Sequence, residues 1–244
     1  MSHLISITGA GPGDPDLLTV KALRRIRQAD VILYDALHGE EILNLAPAGS
    51  LKIYAGKHYQ DGQYQSQRQE IINSQLKQYA LQGKQVVRLK AGDPFIFGRG
   101  AEELEFCLAE QLNVEVIPGI SAGPAAAAGF HIPLTIREKN SMALLYTGHK
   151  RNDGFDHLET VASVLKTGAP VMIYMGLKNL VPLCLELLNQ DIPGTLPVQI
   201  VSCVGHPNRQ IFSTTLASVP ADPSCSSLPM PAVILMGTHT TPVL

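Results

Sequence analysis

The residues best suited to chemistry fall in five short patches, each trailing a brief apolar run. They are GAGPGDP at 9–15, Tyr34-Asp35, AGDPFIFGRG at 91–100, TGH at 147–149 and Met175-Gly176. The first patch begins like a dinucleotide fingerprint, because Gly9-Ala10-Gly11 opens a GxGxxG pattern and Asp35 closes the next apolar run. The template fails at its third glycine, where Asp14 stands, and Pro12 and Pro15 remove N–H donors that a pyrophosphate would need. A P-loop fails as well: Gly56-Lys57 is followed by His58, and Leu51 stands where its first glycine belongs. The loop is therefore tight and poor in donors, suited to packing against an uncharged or cationic ligand. Cys203 and His206 are spaced like metal ligands, but there is no second pair, so no metal site is expected.

Taken singly, other polar residues have plain readings. Asp35 reads as a turn residue at a strand end, and Lys57 as a solvated lysine. Arg99 and Glu102 are three apart at a helix start and can pair with each other. Met175 would fill a core gap, although its place at a strand end favours a ligand contact.

These patches must be positioned by regular elements, and the composition allows them. The chain has 244 residues, 45% hydrophobic and 16% charged, with a net charge of -2. At about 150 residues per domain that is one large domain or two modest ones. The apolar fraction rules out disorder, and the near-neutral charge argues against a nucleic-acid partner. Four scattered cysteines without a CxxC pair fit a reducing compartment. No leader pattern opens the chain and no apolar run reaches the ~18 residues of a membrane span, so a cytoplasmic location is expected.

Strands are predicted over 4–8, Val31–Tyr34, 86–89, Val114–Ile117, 142–146, Val171–Tyr174, 198–201 and Ala232–Met236. Helices are predicted over 19–28, 68–82, 101–112, 155–166 and 180–189, with a closely packed alanine helix near 125–128. In the second helix Ile71, Ile72, Leu76, Tyr79 and Ala80 share a face, and Gly83 is placed to end it. Residues 210–215 alternate like an antiparallel strand. The rhythm of strand and helix predicts parallel crossover units, hence an α/β fold of two domains with mainly parallel sheets, 1–118 and 119–244. Ligands bind outside the carboxyl ends of such strands, so the patches are expected to line one crevice between the halves.

The residues also carry a resemblance. GAGPGDPDLLTVKAL, VILYD, GQYQSQRQEIIN, VVRLKAGDPFIFGRGAEE, VIPGISAG, IPLT and MIYMGLKNL run in the order and spacing of the tetrapyrrole methylases. Within that family the chain is most similar to the uroporphyrinogen-III C-methyltransferases. The resemblance covers nearly the whole chain. It implies a homodimer that uses S-adenosylmethionine, releases S-adenosylhomocysteine, and methylates uroporphyrinogen III at C2 and C7 to give precorrin-2 for sirohaem or cobalamin rings. It further implies a donor pocket of Pro12, Ala91, Gly92, Asp93, Ile96, Ser121, Ala122 and Met175. Asp35 and Lys57 would be proton acceptor and donor, and Arg99, Glu102 and Arg137 would handle the macrocycle. The carboxylate-rich acceptor would be met by cations in or beside the strand-end loops: Lys57, His58, Lys90, Arg99, Arg137, His149, Lys150 and Arg151.

Departures from the family pattern are specific. Ala91 and Ala101 replace glycines, and HIPLTIR replaces GIPLTHR, so that His131 and Ile136 differ. Around 201–209 (VSCVGHPNR) the usual Glu-Asn-Gly-Thr is missing, so either Val204 or Gly205 takes the place of a donor-contacting glycine. The alternatives are a sister methylase acting on a later precorrin, a nucleotide-dependent oxidoreductase, and a non-catalytic porphyrin-binding module. With the chain ending just after PAVILMG, no fused dehydrogenase or chelatase domain is expected.

Overall fold

Short runs of β-branched and aliphatic residues, too short for helices and bounded by glycine, proline or asparagine, form most of the strands. The computed structural model describes residues 3–35, 40–56, 65–149 and 154–243. It divides into two compact units, Met1–Ser121 and Ala122–Leu244, so the boundary falls after Ser121 rather than after residue 118.

The first unit contains β1 (Leu4–Gly9), α1 (Val20–Arg27), β2 (Val31–Tyr34), α2 (Glu40–Leu43), β3 (Leu51–Tyr54), α3 (Gln65–Leu81), β4 (Gln85–Lys90), α4 (Gly100–Ala109) and β5 (Val114–Ile117). Its sheet has the order β3-β2-β4-β1-β5, and every pairing is parallel. Both faces are covered. Ile5, Ile7, Val31, Leu33 and Val86 meet Ile72, Leu76, Ala80 of α3 and Cys107 of α4 on one side. Ile32, Val87 and Leu89 meet Ile26 of α1 and Ile42 and Leu43 of α2 on the other. Thr19 caps α1 by accepting from the Ala22 N–H at 3.1 Å. Gly83, at φ +76, follows the end of α3. Ile71, expected on the inner face of α3, is exposed instead.

The second unit contains α5 (Ala122–Gly129), β6 (Leu144–Thr147), α6 (Leu158–Lys166), β7 (Val171–Tyr174), α7 (Leu180–Leu188), β8 (Pro197–Ser202), β9 (Gln210–Thr215) and β10 (Ala232–Met236). Its sheet has the order β6-β7-β10-β8-β9. α6 and α7 cover one face through Leu158, Val161, Leu180 and Leu183. α5 covers the other through Ala126 and Ala127, which pack on Met172, Val201, Val233 and Leu235. The α/β class and the mainly parallel pairing hold across the chain, but here only β6 and β7 run parallel. The expected crossover into 198–201 is present, because β7 and β8 share one direction and α7 joins them, but β10 lies between them antiparallel to both, against expectation, and β9 pairs antiparallel with β8, as 210–215 predicted. Loop length accounts for β9. The segment 203–209 is too short for the dozen or so residues a crossover needs, so β9 returns as a hairpin partner.

Candidate active site

All strands of the first sheet point one way, so the loops leaving β1, β2, β4 and β5 emerge along one edge. Adjacent strands β1 and β4 send their chains to opposite faces: α1 lies on one, α4 on the other. Their carboxyl ends therefore mark a topological switch point, where an open sheet leaves room for a ligand. There the backbones of Gly11 and Gly92 exchange hydrogen bonds, Gly11 N–H to Gly92 O at 3.2 Å and Gly92 N–H to Gly11 O at 2.8 Å. Gly92 has φ +64, a conformation that favours glycine.

The loop after β5 closes the junction. A Cβ on Gly9 would lie 2.5 Å from the Gly119 nitrogen, and one on Gly119 would press on the Gly92 carbonyl oxygen. Gly9 at the end of β1 and the loop glycines Gly92 and Gly119 thus touch backbone to backbone, which only hydrogen at Cα permits. Asp93 pins the arrangement with both oxygens: Oδ1 accepts from Phe95 N–H at 2.8 Å and Oδ2 from Gly119 N–H at 3.1 Å. Pro12 is buried beside this junction in sequence, Ala91 and Ile96 are half-buried, and Ser121 is buried at the end of the β5 loop.

Asp35 leaves β2 on the same edge, and its Oδ1 accepts from Arg88 Nη2 at 2.7 Å. Arg88 is 3% exposed. Its Nε donates to Glu103 Oε1 at 2.9 Å and its Nη1 to the carbonyl of Leu89 at 3.0 Å. Lys90 Nζ donates to the same Glu103 oxygen at 3.0 Å, and Gln69 reaches it at 3.4 Å. Glu103 is fully buried, and its Oε2 has no hydrogen-bond partner among the described residues. Burial works against the Arg88 charge, but Glu103 and Asp35 outweigh it and raise its pKa. Burial and the neighbouring Arg88 lower that of Lys90. Lys90, expected among the cations facing the acceptor, is 3% exposed and committed to Glu103. This cluster was not anticipated from the sequence. Its signal was strand parity: Arg88 and Lys90 share the face of Val86, which the helices α3 and α4 cover.

Arg99 caps α4 in a left-handed conformation, φ +59, and forks onto Glu102 at 2.8 and 2.5 Å. That hydrogen-bonded pairing lowers the Glu102 pKa and raises that of Arg99. Both side chains are exposed.

In the second unit, β6, β7 and β8 share one direction, because β10 runs against both β7 and β8. Thr147, Met175 and Ser202 therefore stand at one edge. Gly148 N–H donates to Tyr174 O at 2.8 Å, and Asn179 Nδ2 donates to Gly148 O at 2.8 Å. Met175, at φ +55 and 45% exposed, places its sulfur 3.2 Å from His149 Nε2. The buried hydroxyl oxygens of Thr147 and Ser202 have no partner among the described residues. After β8, Val204 turns its side chain into the core with Ala126 and Met172, whereas Gly205 is half-buried at φ +78. Ala122 opens α5, whose Gly123 N–H donates to Tyr174 Oη at 3.0 Å.

Arg137 is not brought to that edge. It is exposed on the turn bridged by Ile136 and Asn140, and lines a groove of about 650 Å³ with Asn140, Met142, Thr167 and Ala169. Met142 and Ala169 lead into β6 and β7, so the groove lies at the amino ends of those strands. Lys57, His58, Lys150 and Arg151 lie outside the described residues. Among the described residues no cluster of three His, Cys, Asp or Glu could hold a metal, and no helix is long and apolar enough to cross a membrane.

Fold and edge loops together define an α/β protein whose first unit carries a shelf of close-packed backbone at its switch point. The family model of the tetrapyrrole (corrin/porphyrin) methylases matches residues 5–220, and the chain belongs to that family. A siroheme synthase of Actinobacillus pleuropneumoniae serotype 3 is 43% identical over 239 residues, covering 96% of this chain and 46% of the relative. That of Methylococcus capsulatus is 38% identical over 233 residues, covering 96% and 48%. The chain spans about half the length of the curated relatives it matches. The crystal structure of uroporphyrin III C-methyltransferase from Thermus thermophilus superposes with TM-score 0.79 at 33% identity, covering 96% of this chain and 91% of that one. The same figures hold for its complex with S-adenyl homocysteine. A cobalt precorrin-4 methyltransferase superposes with TM-score 0.84 at 26% identity, covering 99% and 97%.

Proposed function

We propose that the chain is an S-adenosylmethionine-dependent C-methyltransferase that converts uroporphyrinogen III to precorrin-2 by methylation at C2 and C7. The observation that carries this reading is the junction of Gly9, Gly92 and Gly119 at the switch point. It is a close-packed backbone surface with Pro12 near it in sequence, and the N–H groups of Gly11, Gly92 and Gly119 are already spent on Gly92 O, Gly11 O and Asp93 Oδ2 rather than left for a phosphate. The likeness to the Thermus thermophilus enzyme supports it further.

The donor set is Pro12, Ala91, Gly92, Asp93, Ile96, Ser121, Ala122, Met175 and Gly205. Gly205 is preferred to Val204 because the Val204 side chain is spent in the core. A sulfonium methyl is already electrophilic, so the protein's task is alignment with a pyrrole carbon. A carbon–carbon bond forms as the carbon–sulfur bond breaks, its electron pair staying on sulfur as the neutral thioether. The methylated ring then loses a proton, which Asp35 accepts, and Lys57 returns one elsewhere. Arg99 and Glu102 meet the acceptor, whose carboxylates compete with Glu102 for the arginine fork. Inclusion of Arg137 in the acceptor set, like the homodimer, rests on the resemblance alone.

The test is incubation with S-adenosylmethionine and uroporphyrinogen III, with methyl groups counted by mass spectrometry. Two added methyls are expected; none overturns the reading. The likeness to cobalt precorrin-4 methyltransferase favours a second reading, a sister enzyme acting on a later precorrin, for which only the later substrate would gain a methyl.

A further inference from the structure

We propose that Arg88, braced from behind by Glu103, is the positioning residue that fixes the Asp35 carboxylate for proton removal. The inference rests on the functional reading above and deepens it. Arg88 is paired across the sheet with Leu33, and Asp35 lies two residues further along the same face. One guanidinium therefore spans from the α4 side of the sheet to the carboxyl end of β2. It touches Glu103, the Leu89 carbonyl and Asp35 at 2.9, 3.0 and 2.7 Å. A planar fork with several acceptors fixed at once has little freedom left, so the one partly exposed member, Asp35, inherits a defined place.

Glu103 is the brace because it anchors both cations of β4. Arg88 and Lys90 balance Glu103 and Asp35 as two positive against two negative charges, when all are ionised. Breaking a buried pair leaves an uncompensated charge, which is why the cluster holds its shape. The same pairs tie the start of α4 to the end of β4, the two ends of the loop 91–99. Among the described residues, no side-chain hydrogen bond of this cluster reaches Gly9, Gly92 or Gly119, so donor affinity and carboxylate placement are read out separately.

The experiment is a double-mutant cycle on kcat with Arg88→Lys, Asp35→Asn and their combination. Donor affinity is read by titration with S-adenosylhomocysteine and folding by thermal unfolding. Arg88→Lys is expected to lower kcat by roughly tenfold to a hundredfold, less than the roughly 10²–10⁴-fold that a general base itself supplies, because it misplaces the carboxylate without removing it, and to leave donor affinity within about twofold. In the Asp35→Asn background it should cost less than about twofold, because residues acting through one another are not additive. An equal loss in both backgrounds, or a donor affinity that falls as far as kcat, overturns the proposal. Should Arg88→Lys not fold, Glu103→Gln takes its place in the same cycle with the same two outcomes. The wild-type arm reports separately on the functional reading, since zero methyl transfer there rejects that reading before any variant is compared. Independently of turnover, a crystal structure of Arg88→Lys should show the Asp35 carboxylate displaced; an unmoved carboxylate overturns the proposal whatever the reaction.

Discussion

Glycine identity is a hard constraint at the junction of Gly9, Gly92 and Gly119 and a soft one elsewhere. A methyl at Gly119 meets the backbone of Gly92 and Gly9, neither of which can move without disturbing a strand end. Gly119→Ala should lower stability by on the order of 3 kcal/mol, as overpacking does, read as a drop in denaturant midpoint. Gly49→Ala, with open space around its Cα, is the control and should be near neutral. A tolerated Gly119→Ala would mean that the three glycines do not meet as described. The cysteines are a second test at this scale. All four are buried, and burial pushes Cys107 up to about 11 and Cys184 up to about 12. None should react with a thiol reagent in the folded protein at mildly alkaline pH, and all four should react after unfolding. Fast native labelling would contradict the packing. The glycine-rich patches were legible in the sequence because their residue types are unusual together. The Arg88–Lys90–Glu103 cluster was not, because a charged residue near a strand end reads as loop-facing. In a sheet covered on both sides, no face of a central strand is wet.

Among the elements, most strands were legible as continuous apolar runs, the mark of burial on both faces. β3 was missed because it is an edge strand, with Leu51 and Lys52 exposed and no unbroken apolar run. The direction of β10 was missed because AVILM reads alike whichever way it runs, whereas the alternation of 210–215 already marked β9 as antiparallel. α1 is held to the sheet by a polar tie as well as by Ile26. Glu115 of β5 accepts from Lys21 at 2.6 Å, Arg25 at 2.5 Å and Ser6 at 2.9 Å. Burial opposes the Glu115 charge, but those hydrogen bonds outweigh it and hold its pKa down at about 2, from 4.5. A depressed carboxylate contributes stability that is present above its ordinary pKa and lost as pH falls through about 2. Glu115→Gln should therefore cost roughly 1–2 kcal/mol near neutral pH, a figure discounted for the half-exposed Lys21. The deficit should shrink as the pH drops below 4.5 towards 2. A deficit unchanged across that window would show that the tie does not depend on the Glu115 charge.

On the scale of the whole molecule, two units each place their unusual loops along one edge of their own sheet. In the first, that edge is a switch point closed by glycine backbones and flanked by a carboxylate held on an arginine. In the second, it carries Met175 and two hydroxyls without partners among the described residues. If the account is right, donor binding should stabilise the fold: S-adenosylhomocysteine at a hundred times its Kd adds about 2.7 kcal/mol, seen as a raised Tm. The most direct measurement is a crystal structure with S-adenosylhomocysteine bound. The predicted result is a ligand against the backbone of Ala91, Gly92 and Asp93 and the residues 119–121, with Asp35 left free to face an acceptor. A ligand seated instead in the groove of Arg137 and Thr167, with the glycine junction bare, would contradict it.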